Sequence, residues 1–135
     1  MTTIRNLILL ALFILPAWAS AAQFTCSIQD VLRLDKNGAF APHGWSSMYQ
    51  KRKFFLDADT GKVTGTTALK VRLYNYNADT DPVVMRNNGY TAITLFRDTG
   101  QYALIQIDPA KDGDQRPFFY HAAVGMMLTG TCSES

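Results

Sequence analysis

The sequence of 135 residues contains little of what catalytic and metal sites usually require. It has two histidines and two cysteines, and Glu134 is the single glutamate among 11 acidic residues. A zinc site needs three or four convergent ligands, and the sequence contains no cluster of His, Cys, Asp or Glu at ligand spacing. We therefore predict neither a metal nor a cofactor.

The sequence also lacks a strong excess of charge, since its formal net charge is +2. Nucleic-acid-binding domains usually carry a basic patch and a high isoelectric point, so this composition argues against a nucleic acid as partner. No Gly-x-Ser-x-Gly elbow and no glycine-rich phosphate loop is present. An enzyme is disfavoured, although a small hydrolase that uses aspartates without a recognisable motif stays open. Convergence of Asp57, Asp59 or Asp112 with His43 in one cleft would favour it.

Long apolar runs are missing except near the amino terminus. There, Arg5 precedes an uncharged apolar stretch over residues 7–15, and Pro16 and the small residues 19–22 follow it. This order is typical of a secretion signal, and the stretch is too short to span roughly 30 Å of hydrocarbon. We predict a signal peptide over residues 1–22, a single domain over 23–135, no membrane anchor, and a periplasmic or secreted product.

The two cysteines, Cys26 and Cys132, lie close to the two ends of the predicted mature chain. Disulfides form and persist in exported proteins, and redox-active pairs have the much closer Cys-x-x-Cys spacing. We therefore predict a structural disulfide that links the first strand to the last.

What the sequence does contain is typical of β-structure. Ten of the acidic residues are Asp, which favours turns, and strand-like segments recur about every ten residues. We predict an all-β fold, a single antiparallel barrel or sandwich of about seven to eight strands. The predicted strands cover residues 24–34, 54–57, 62–64, 68–76, 83–86, 90–97, 102–108 and 118–132.

The first predicted strand alternates between apolar and polar residues. Phe24, Cys26, Ile28, Leu32 and Leu34 are predicted to share one face. Asp30 interrupts the apolar face and Val31 the polar face, which predicts a β-bulge near these residues. Asn37-Gly38 then predicts a tight hairpin turn.

The longest stretch without strand alternation runs from residue 40 to residue 53, with a helical turn predicted over 47–51. It brings aromatic and basic residues together, a combination that is common in binding hot spots. An alternative is that the tryptophan packs on the end of the barrel and its neighbours are merely solvated. The candidate binding residues are His43, Trp45, Tyr49, Lys51, Arg52 and Lys53.

Three segments resemble those of small exported proteobacterial proteins of unassigned function: Phe24-Thr25-Cys26, residues 55–65 with their Asp-Thr-Gly turn, and Thr129-Gly130-Thr131-Cys132. The resemblance implies an exported β-domain closed by a cystine. Periplasmic lysozyme inhibitors of the small β-barrel type are similar in size, export and terminal bridging. Their inhibitory stretch, Ser-Gly-x-Arg/Lys-Tyr, does not occur here.

The expected function is therefore that of an exported, non-enzymatic β-domain. It would bind a protein or a small ligand through loops at one end of the fold. The alternatives that stay open are the aspartate-dependent hydrolase and a periplasmic enzyme inhibitor.

Overall fold

The computed structural model describes residues 22–65, 81–86, 88–96, 100–109, 113–122 and 125–135. The predicted strand over residues 68–76 and the predicted signal peptide, apart from residue 22, lie outside these ranges. The described part contains nine strands and one short helix. They are β1 (Gln23–Leu34), β2 (Phe40–Pro42), α1 (Ser46–Tyr49), β3 (Lys53–Asp57), β4 (Val63–Gly65), β5 (Val83–Arg86), β6 (Tyr90–Phe96), β7 (Gln101–Ile107), β8 (Arg116–His121) and β9 (Met127–Glu134).

The strands form one antiparallel sheet in the order β4-β3-β1-β9-β8-β7-β6-β5, and β2 pairs with the second half of β1. The sheet curls into a half-barrel around a single apolar core. Phe54 lies in this core and meets Phe118 edge to face, with 5.4 Å between the ring centroids. The predicted all-β antiparallel fold is confirmed.

The predicted disulfide is also confirmed. Cys26 and Cys132 are directly opposite each other on β1 and β9 and are bonded to each other. Both side chains are completely buried. The bond therefore joins two adjacent strands, β1 and β9, which are the first and last strands of the domain.

The bulge in β1 lies where the sequence predicts it, between Ile28 and Asp30. Its consequence corrects the predicted face, because one extra residue reverses the direction of every side chain that follows. Val31 faces the core and is buried, whereas Leu34 is exposed. The prediction that Leu32 and Leu34 share the face of Phe24 is wrong.

The closing strand predicted over residues 118–132 is in fact a hairpin of β8 and β9. The turn is held by bonds from the Ala122 N–H to Met126 O and from the Gly125 N–H to Ala122 O. The turn keeps even-numbered residues facing inward on both strands, so Phe118 and Cys132 are both buried. This retained phase explains why the alternation reads as one strand in the sequence.

The turn between β3 and β4 closes the curl by packing against β5 and β6. Gly61 is buried there, and a Cβ atom at this position would lie 2.9 Å from Pro82 Cβ and 3.0 Å from Ala92 Cβ. The Tyr90 hydroxyl donates a hydrogen bond to the carbonyl oxygen of Asp57 at 3.4 Å. Burial raises the pKa of Tyr90 to about 12, so the hydroxyl keeps the proton that it donates.

Candidate functional site

The candidate segment follows the border of β1. β2 pairs with residues Leu32 to Leu34 of that strand, and β3 pairs with residues Gln23 to Ser27. Helix α1 and the residues that follow it lie between β2 and β3 in the chain. The stretch therefore joins two short strands that border the same long strand.

Backbone and side-chain hydrogen bonds fix the start of this connection to β1. The His43 N–H donates to Val31 O at 2.9 Å, and the Ser46 hydroxyl donates to the same oxygen at 3.0 Å. The Trp45 N–H donates to His43 Nδ1 at 3.0 Å, and the two rings lie 5.0 Å apart. The ring nitrogen Nδ1 of His43 thus accepts a hydrogen bond within the loop, while its backbone N–H donates one to β1.

Two aromatic residues of the segment, Trp45 and Tyr49, face inward. Tyr49 is completely buried in the core, and the half-buried Trp45 packs against the core cluster. Tyr49, which the sequence suggests as a binding residue, therefore supports the segment from the core side, and its side chain is not accessible in this structure. Trp45 combines a packed side with an accessible one.

The basic residues occupy the other side of the segment. Lys51 has a φ angle of 64°, and it is the single non-glycine residue with a positive φ in the described part of the chain. Its N–H donates to Ile28 O at 2.9 Å, and the Ile28 N–H donates to Arg52 O at 2.9 Å. These bonds hold the backbone in the left-handed conformation, and the side chains of Lys51, Arg52 and Lys53 are exposed.

Exposed apolar side chains accompany these cations. Leu34 and Phe40 face each other across the β1–β2 hairpin, and Phe40 is 65% exposed. Met48 on α1 is also exposed. We call a set of six exposed side chains in this region the basic edge: Leu34, Phe40, Met48, Lys51, Arg52 and Lys53.

Sequence reasoning did not select the three apolar members of the basic edge. Leu34 was expected in the core, and only the bulge turns it outward. The available signal was the position of Leu34 and Phe40, on either side of the Asp35–Gly38 turn. A hairpin turn places the residues on its two sides opposite each other. Two apolar residues in those positions therefore become cross-strand neighbours, whichever face of the sheet they occupy.

The aspartates that might have joined His43 lie elsewhere. Asp57 Oδ1 accepts hydrogen bonds from the N–H groups of Asp59 and Thr60, both at 2.9 Å. The bond from the Thr60 N–H contributes most to holding the pKa of Asp57 below its ordinary value. Asp57 therefore serves the β3–β4 turn.

Their distance from His43 follows from the register of β1. Asp57 is the strand partner of Gln23, whereas the His43 N–H is hydrogen-bonded to Val31. Val31 lies eight residues after Gln23 on β1. At about 3.3 Å per residue, the two positions are roughly 26 Å apart. Asp112 lies outside the described residues, and no group of three His, Cys, Asp or Glu side chains suited to a metal ion occurs among those described.

A shallow depression of about 250 Å³ lies at the far end of β6 and β7, lined by Tyr90, Thr91, Gln106, Ile107 and Asp108 among others. It is separate from the basic edge.

Within the ranges given above, no helix has the length and apolar character needed to cross a membrane. Comparison of the chain with protein families, with curated proteins and with solved structures gave no match.

Proposed function

We propose that this chain is an exported binding domain that holds an acidic surface of a protein partner against its basic edge. The observation that carries the proposal is the arrangement at Lys51. A non-glycine residue in the left-handed conformation costs about 1–2 kcal/mol, and such strain tends to occur where function uses it. Here the strained residue begins the Lys51-Arg52-Lys53 run of exposed cations.

The segment is held firmly before any partner arrives. Tyr49 and Trp45 anchor it in the core, and hydrogen bonds to Val31 and Ile28 fix it on both sides of the bulge. A surface that is already ordered loses less conformational entropy on binding. This favours specific recognition over a merely solvated cationic run.

The shape of the basic edge favours a protein over a small molecule. Lys53 pairs with Ser27 and Phe40 pairs with Leu34, so the edge follows β1 over seven residue steps, roughly 23 Å. Small-molecule sites are concave pockets that enclose most of the ligand. An extended border with exposed Phe, Met and Arg side chains is instead typical of protein interfaces.

Export is the second part of the proposal. The buried Cys26–Cys132 disulfide fits an oxidising compartment, as an extracellular or periplasmic protein requires. The separation of Asp57 and Asp59 from His43 supports binding over an aspartate-dependent hydrolase.

The proposal can be tested with a random peptide library displayed on phage and selected on the disulfide-bonded domain. We expect enrichment of peptides rich in Asp and Glu. The double variant Arg52→Glu/Lys53→Glu should bind the selected peptides at least about ten-fold more weakly, which corresponds to about 1.4 kcal/mol. Binding should also weaken as salt is added, because exposed charges are screened.

The matched control is Lys62→Glu/Arg86→Glu, which changes the net charge equally at the other end of β1. Each of these residues forms an exposed ion pair, with Asp81 and Asp59 respectively, and such pairs contribute about 0–1 kcal/mol to stability. The control should keep the peptide affinity of the natural chain. Equal losses in both double variants would show a general charge effect and would contradict the proposal.

A further inference from the structure

Ala22, the residue that precedes β1, is bound into the fold although the predicted signal peptide includes it. Its carbonyl oxygen accepts a hydrogen bond from the Ala58 N–H at 3.0 Å. This bond continues the pairing of β1 with β3, because the next residue, Gln23, is the strand partner of Asp57. Ala22 is therefore held by the domain through its backbone.

The side chain of Ala22 also belongs to the core side of the sheet. Side chains alternate along a strand, so Ala22 points to the same side as Phe24 and Cys26, which are both buried. It is half-buried and packs against the core cluster. Ala22 thus continues the apolar face of β1 by one further inward position.

The donor that Ala22 accepts from lies at an important place in the fold. Ala58 is completely buried and begins the β3–β4 turn, which packs against β5 and β6. A buried N–H group that loses its acceptor destabilises the folded state. Without Ala22, the Ala58 N–H would lose this acceptor in the turn that closes the curl.

The sequence before β1 offers a signal peptidase two overlapping cleavage sites. Such a site has small residues at the first and third positions of a triplet, and the cut follows the third. Ala19-Ser20-Ala21 and Ser20-Ala21-Ala22 both meet this requirement. A cut after the first triplet makes Ala22 the first residue of the product, whereas a cut after the second makes it Gln23.

We propose that a signal peptidase cuts the chain between Ala21 and Ala22, so that the exported domain begins with Ala22. The inference rests on the export that forms part of the proposed function. The cut is a hydrolysis: water adds across the peptide bond, the Ala21 carbonyl becomes a carboxylate, and the Ala22 nitrogen becomes an ammonium group. This cut retains the acceptor of the Ala58 N–H, and a cut after Ala22 would remove it.

The cleavage site and the basic edge lie at opposite ends of β1. The strand runs from Gln23 to Leu34, and Leu34 is a member of the basic edge. The ammonium group formed by the cut therefore adds no charge to the candidate binding surface. For this reason the peptide selection described above and the cleavage site can be tested independently.

The test is to produce the full chain in a bacterium, isolate the exported product and record its intact mass. We expect the mass of residues 22–135 with the disulfide formed. A product that starts at Gln23 would be lighter by one alanine residue and would overturn the proposed site, as would a start at Ser20 or Ala21. Each of these results would leave export standing. A chain that keeps Met1 and stays in the cytoplasm would overturn export and the cleavage site together.

Two leucine variants identify which triplet the peptidase uses. Ala19→Leu places a large residue at the first position of Ala19-Ser20-Ala21 and should lower the yield of product that starts at Ala22 at least about ten-fold. The matched control is Ser20→Leu, which changes only the middle position of that triplet and should leave this product unchanged. Loss of cleavage in Ser20→Leu with normal cleavage in Ala19→Leu would overturn the proposal, because Ser20 is the first position of the competing triplet.

Discussion

At the scale of single residues, Lys51 combines an unusual backbone conformation with a place in the candidate site. Its left-handed backbone is imposed by two hydrogen bonds to Ile28, the last residue before the bulge. The bulge and the strained lysine therefore face each other across the border of β1. Tertiary pairing overrides the residue's own preference, because lysine gains nothing locally from this conformation.

Replacement of Lys51 by glycine should stabilise the domain. Glycine adopts a positive φ without steric cost, which relieves strain of about 1–2 kcal/mol, but its extra freedom in the unfolded chain costs roughly 0.5–1 kcal/mol. The net gain in the free energy of unfolding should therefore be about 0.5–1 kcal/mol. Urea titration would measure it. The control Lys53→Gly lies in β3 and should lower stability by roughly 0.5–1 kcal/mol. A loss of stability for Lys51→Gly would show that the lysine side chain itself stabilises this conformation.

At the scale of elements, the β3–β4 turn holds the two ends of the sheet together. Its residues contact β5 and β6, which lie at the opposite end of the strand order. The Tyr90 hydroxyl and the Arg86–Asp59 ion pair add polar contacts across the same junction. Packing at Gly61 matters more than this ion pair, because exposed pairs contribute about 0–1 kcal/mol.

Replacement of Gly61 by alanine should destabilise the domain by about 2–4 kcal/mol. The φ angle of 73° accounts for part of the loss, and the new methyl group would overpack against Pro82 and Ala92. The control Gly38→Ala has a similar φ of 79° with no atom within 4 Å of the new methyl group. Its cost should be about 1–2 kcal/mol. Equal losses in urea unfolding would mean that the junction does not resist the extra methyl group.

At the scale of the whole molecule, the disulfide joins the first and last strands where they pair. The closed loop spans 106 positions in the sequence. In the chain-entropy model a loop near 100 residues corresponds to about 4.7 kcal/mol, and removal of native disulfides costs about 2–5 kcal/mol. The bond therefore contributes a substantial part of the stability of a domain of ordinary size.

Reduction of the Cys26–Cys132 bond should lower the free energy of unfolding by about 2–5 kcal/mol. Urea titration with and without reductant would measure the difference, and intact mass would confirm that the thiols form. Cys26→Ala/Cys132→Ala should lose slightly more, because both buried sulfur atoms are removed as well. An unchanged unfolding curve after complete reduction would contradict the stabilising role of the bond.

The sequence by itself determined the fold class, the disulfide, the bulge and the positions of most described strands along the chain. Period-two alternation and turn residues act locally, so they can be read without the fold. Residues 40–53 were likewise recognisable as the longest segment without strand alternation. Their helical turn, predicted over 47–51, occurs at Ser46–Tyr49.

Only the tertiary structure decided which way these residues face. Because of the bulge, Val31 lies in the core and Leu34 is exposed. Tyr49 is buried by packing, and the hydrogen bonds to Ile28 hold the backbone so that the side chains of residues 51–53 are exposed. Cross-strand register, such as that which places Cys26 opposite Cys132, is not encoded by any single segment. A side chain's face is set by its partners on neighbouring strands, and those partners lie far away in the sequence.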